Sequence, residues 1–140
     1  MAEGKKYEFT EDYLTGIASI DAEHARLFEL TNQVYDLLMD DLVADKYDRI
    51  IEVMDELREY TKTHFANEEA YMEKMGFQHI WSERRAHKLF VQKLEEVDMS
   101  AIDESQNDYI LEILDFLAKW LTFHIKGADR RIGVAEGTVK

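Results

Sequence analysis

Residues 50–72 read IIEVMDELREYTKTHFANEEAYM. The apolar members Ile50, Ile51, Met54, Leu57, Tyr60, Phe65, Tyr71 and Met72 return every three or four positions, the spacing of one face of an α-helix. The same stripe carries His64 and Glu68. An imidazole or a carboxylate on a face destined for a core is costly unless it is paired or ligated. This segment therefore predicts both a helix and some chemistry inside the fold. The helix is expected to start near Asp45 and to end at Gly76, a residue that suits a helix C-terminus.

Three further stretches share the pattern. The first is expected from about Asp21, a good N-cap, to about Asp40, with Leu27, Phe28, Thr31, Val34, Leu37 and Leu38 on its stripe beside His24. Another starts near Ile80 and carries Glu83, His87, Phe90, Val91, Leu94 and Val97. The last, capped by Asp103 or Ser105, has Ile110, Ile113, Leu114, Leu117, Trp120, Leu121 and His124, and is expected to stop at Gly127. Short polar breaks between long helices favour antiparallel neighbours. The expectation is an all-α, up-down bundle of four helices in a single domain, 1–140. Residues 1–20 form an aromatic N-terminal arm, 21–126 the bundle and 127–140 a C-terminal tail.

Composition agrees. The 140 residues include no proline and only six glycines, which a helical chain tolerates far better than a sheet chain with its turns. There is no cysteine, so disulfides, thiolate chemistry and iron–sulfur clusters are excluded. A net charge of −13 argues against nucleic acid, which needs clustered Lys and Arg, and against an anionic membrane surface. The opening MAEGKKYEFT lacks the apolar core of a signal peptide, and no later run is apolar enough to span a bilayer. A soluble, cytoplasmic protein is expected.

The ionisable groups on the stripes carry the functional reading. His64 and Glu68 are four apart, about 40° round a helix, and so share a face. Glu83 and His87 repeat that relation on the third helix. In an up-down bundle the start of the first helix and the end of the second lie at one end, with the start of the third and the end of the fourth. His24, His64–Glu68, Glu83–His87 and His124 therefore meet in one layer. Asp129 stands five residues beyond His124, about 140° away on a continuous helix, and reaches the layer only if Gly127 breaks or loosens the helix. Mixed imidazole and carboxylate donors suit iron, manganese or zinc better than copper(I) or calcium, and two metals better than one.

The segments GIASIDAEHARLF (16–28), HFANEEAYM (64–72), HKLF (87–90) and HIKGAD (124–129) resemble the hemerythrin family, above all its bacterial single-domain branch, the bacteriohemerythrins. The resemblance implies two iron ions with an oxo or hydroxo bridge, one bound by His24 and His64, the other by His87 and His124, with Glu68 and Asp129 bridging them. It implies O2 as partner, or another small ligand such as peroxide, nitric oxide or an azide-like anion. A signalling domain is a further implied partner, since hemerythrin-like domains also occur fused to such domains. The chain departs from the family at one place. The third-helix HxxxH reads Glu83-Arg84-Arg85-Ala86-His87, so a carboxylate stands where a histidine is expected. Glu83 is expected to ligate, and an added anion favours the ferric state.

Plainer readings stand beside these. A lone histidine on an apolar stripe is commonly a hydrogen-bonded core residue, and the plainer account of Glu83 is a solvated partner of Arg84 or Arg85. Phe65, Trp120 and Ile125 flank the expected ligands as candidates for a small O2 pocket, with core packing the simpler account of Phe65 and Trp120. His79 falls in a break and is expected on the surface. Three functions remain open at this point: O2 binding or storage, oxygen or redox sensing, and a di-iron redox enzyme reducing O2, peroxide or nitric oxide.

Overall fold

The computed structural model describes residues 6–98 and 107–139. Four long helices, α1 (Ala18–Met39), α2 (Lys46–Met75), α3 (Ile80–Glu95) and α4 (Asn107–His124), are followed by a π-helical turn (Ile125–Asp129) and a short α5 (Arg130–Glu136). No strand occurs among the described residues. α1 packs on α2 and α4, and α2 on α3, giving the antiparallel bundle. Among the described residues no helix is long and apolar enough to cross a membrane.

The stripes read from the sequence bury themselves against one another. Leu27, Leu30, Val34, Ile50, Phe90, Ile110, Leu114 and Leu117 form the main core. A second apolar cluster, Ile17, Ile20, Met72, Phe77 and Ile132, closes the far end of the bundle. The polar layer lies between the two, which is why water is kept from it on both sides.

Two boundaries differ from expectation. Asp21 is not the N-cap of α1; the helix starts at Ala18, and Asp21 sits in its first turn. Its carboxylate reaches back to accept hydrogen bonds from the Thr15 amide (2.8 Å), the Thr15 hydroxyl (2.8 Å) and the Gly16 amide (3.0 Å). Nor does the last helix stop at Gly127. It runs on through the π turn into α5, so most of the expected tail is helical. The proposed caps Asp103 and Ser105 lie outside the described residues. The other ends agree: Gly76, at φ 70°, closes α2, and the exposed His79 precedes α3.

The arm is ordered over its described part. The Asn32 side chain accepts from the Tyr7 amide (2.9 Å) and donates to the Tyr7 carbonyl (2.7 Å), while Phe9 and Tyr13 pack their rings on Phe28.

Candidate metal centre

Each element delivers its donors for a local reason. On α2, His64 and Glu68 lie one turn apart, as do Glu83 and His87 on α3, so each pair points the same way. His24 comes from the first half of α1 and His124 from the last turn of α4. Asp129 closes the π turn. A π-helix bonds residue i to i+5 and is wound more loosely than an α-helix, so a residue five positions on comes back near the face it left, and Asp129 returns to the side of His124. The helix loosens without breaking.

The structure brings all seven side chains together and buries them: His24, His64, Glu68, Glu83, His87, His124 and Asp129. They divide into two groups sharing Glu68 and Asp129. On the α1–α2 side, Glu68 Oε2 is 3.3 Å from both His24 Nε2 and His64 Nε2, and Asp129 Oδ2 is 3.1 Å from His24 Nε2. On the α3–α4 side, Glu68 Oε1 is 3.1 Å from His87 Nε2 and Asp129 Oδ1 is 3.1 Å from His124 Nε2. Glu83 Oε2 is 3.3 Å from the Nε2 atoms of both histidines. Each shared carboxylate therefore turns one oxygen to each group.

These contacts lack hydrogen-bond alignment. Both oxygens of Glu68 and of Glu83, Asp129 Oδ1, and the Nε2 atoms of His24, His87 and His124 are buried without a hydrogen-bond partner. Buried polar atoms in folded proteins are normally satisfied. Donors held about 2.1 Å from one ion lie about 3.0 Å apart at right angles and about 3.4 Å apart at a tetrahedral angle. The observed 3.1–3.3 Å falls between these values. The donor set fits metal cations, with Glu68 and Asp129 common to both donor groups.

Electrostatics agree with a cation. Burial opposes charging His24, but Asp129 and Glu68 outweigh it and lift its pKa to about 10. His87 rises against burial to about 10 through Glu68 and Glu83, and His124 to about 9 through Asp129 and Glu83. Burial pushes the Glu68 carboxyl up, yet the surrounding histidines hold it well below the ordinary range; Asp129 is likewise lowered. Protons and metal ions thus compete for the same nitrogens.

Glu83 is not a surface residue. Arg84, its neighbour, pairs instead with Glu69 and Glu73. Phe65 stacks on His87 at 3.8 Å and Trp120 on His124 at 4.2 Å, so both rings pack the backs of imidazoles. Ile125 is 1% exposed within the main core.

Sequence reasoning passed over two residues. His64 Nδ1–H donates to Glu23 (2.8 Å) and His87 Nδ1–H to Glu69 (2.8 Å), leaving the Nε2 atom of each ring facing the layer. Burial would raise the Glu23 pKa, but hydrogen bonds from His64 and Asn67 lower it. Both acids adjoin a motif residue, yet with 30 Asp and Glu in the chain adjacency singles out neither.

Residues 15–133 match the hemerythrin HHE cation binding domain family. A bacteriohemerythrin from Clostridium acetobutylicum is 37% identical over 124 residues, 89% of this chain and 96% of that protein. One from Pseudomonas aeruginosa is 33% identical over 119 residues, 85% of this chain and 74% of that protein. Myohemerythrin-1 of Phascolopsis gouldii is 28% identical over 123 residues, 88% of each.

Proposed function

The chain belongs to the hemerythrin family, and from that premise we propose that it holds two iron ions in the bundle and binds O2 there. The observation that supports this reading is the sharing of Glu68 and Asp129 between two donor groups, one carboxylate oxygen to each. His24 and His64 would complete one position, and Glu83, His87 and His124 the other. Glu23 and Glu69 would hold the His64 and His87 rings in the ligating tautomer.

When bound, a pair of ferrous ions supplies the electrons that O2 binding draws on. The chain's own part is to aim the donors and to exclude water. The α1–α2 position has four donors from the chain and the α3–α4 position five, so the former leaves more room for an incoming ligand. Glu83 adds one anion, which compensates the ferric charge better than a neutral imidazole would. This favours a second reading, in which the centre oxidises readily and senses oxygen or redox state.

Anaerobic reconstitution with ferrous iron tests the proposal. Two irons per chain and a visible spectrum that changes on admitting O2 are expected. A spectrum that reverts on degassing supports O2 binding and storage, and one that stays oxidised supports redox sensing. Fewer than two metals per chain would overturn both.

A further inference from the structure

The seven donors do not divide evenly. Glu68 and Asp129 are shared, and each position has two imidazoles; the α3–α4 side alone adds a whole carboxylate. Glu83 is 1% exposed, its Oε2 lies 3.3 Å from the Nε2 atoms of both His87 and His124, and neither of its oxygens has a hydrogen-bond partner. Its side chain is aimed at one metal position and at nothing on the α1–α2 side.

Resting on the two-metal reading above, we propose that Glu83 makes the positions unequal, so that the α3–α4 position fills first and the chain passes through a defined one-metal state. Two effects act in the same direction. A cation on the α3–α4 side meets one more full negative charge, in a buried layer where solvent does not screen it away. Three carboxylates also face one another on that side, and the first ion to arrive relieves their repulsion. Outer-sphere partners alone are worth about 10–100-fold in metal affinity, so a direct carboxylate donor should separate the two steps by at least about tenfold.

The test is a titration of metal-free protein with Co2+, followed by its visible bands, with helix content checked by far-UV circular dichroism. Two steps at least about tenfold apart are expected. His24→Ala should remove the weaker step and leave the tighter, and His124→Ala should remove the tighter. Glu83→Gln, nearly the same in size, should weaken the tighter step by at least about tenfold while the weaker moves little. Should Glu83→Gln fail to fold, the two histidine variants decide the order alone. Two equal steps, or loss of the tighter one in His24→Ala, would overturn the inequality and leave the two-metal reading standing. A folded wild-type chain that takes up no Co2+ would overturn that reading as well.

Discussion

Gly133→Ala places a methyl group where the structure has no room. A Cβ at 133 would lie 2.2 Å from the Thr15 carbonyl oxygen and 2.8 Å from Val139 Cγ2. Carbon and carbonyl oxygen rest about 3.3 Å apart, so the seam between α5 and the arm must open by about 1 Å. Opening it strains the 2.6 Å hydrogen bond that the Thr138 hydroxyl donates to Thr15 and begins to uncover Ile132, which is 0% exposed. Overpacking costs about 1–3 kcal/mol, and the blocking atom is backbone, which cannot rotate away. Alanine's helix preference over glycine returns about 1 kcal/mol. The expected net is up to about 2 kcal/mol of destabilisation, or a melting temperature lower by up to about 10 °C at this chain length. Thermal unfolding by circular dichroism reads it, with Gly127→Ala as the contrast. A Cβ at 127 meets nothing within 4 Å, so that variant should match or exceed the wild type. A melting temperature kept by Gly133→Ala and lost by Gly127→Ala would refute this account of which glycine the fold requires.

Other expectations follow from the donor layer. Glu69→Ala removes the acceptor behind His87 and should weaken Co2+ binding by about 10–100-fold, with Glu69→Gln, which keeps an acceptor oxygen, recovering part of the loss. The metal-free chain should lose stability as pH rises. His24, His87 and His124 are lifted to about 10, 10 and 9, so their contribution is complete below the unfolded value near 6.5 and gone above about 10. Melting temperatures measured from pH 6 to 10 check this, and the loaded protein should show a flatter profile because the metal has replaced those protons. Glu83→His removes the added anion. The iron-loaded variant should survive more cycles of oxygenation and degassing than the wild type, counted by recovery of the starting visible spectrum.

The fold was legible because its signal is repeated. Apolar residues at helical spacing mark all four long helices, and the positions where His64, Glu68, Glu83 and His87 interrupt the stripes mark the buried layer. The start of α1 was not legible. Asp21 has the composition of an N-cap, but its carboxylate serves the amides of Thr15 and Gly16 in the arm. What extends the helix back to Ala18 is the burial of Ile20 against Met72, Phe77 and Ile132, contacts that span most of the chain. No local pattern reports a contact of that kind. Glu23 and Glu69 were hidden for a different reason. Their role depends on which nitrogen of a distant ring they face, and the sequence holds many acids that face solvent.

Asp129 shows where arithmetic on a regular helix misleads. At about 100° per residue it faces away from His124, and Gly127 then looks like the device that corrects it. The structure corrects it by pitch: one π turn absorbs the extra residue, and α5 continues beyond it. A π turn needs tertiary contacts to hold it, since the α form is the ordinary choice. Within the turn Ile125 is buried in the main core and Lys126 lies over the Tyr13 ring, and downstream Ile132 sits in the end cluster, Gly133 lies against Thr15 and the Tyr71 hydroxyl is hydrogen-bonded to Glu136. The aim of Asp129 is therefore set in part by residues that follow it. A chain ended after Arg130 keeps all seven donors, yet it should lose the anchor that turns Asp129 inward. Because Asp129 serves both donor groups, a titration of that shortened chain should weaken both Co2+ steps; two steps left unchanged would show that the π turn holds without α5.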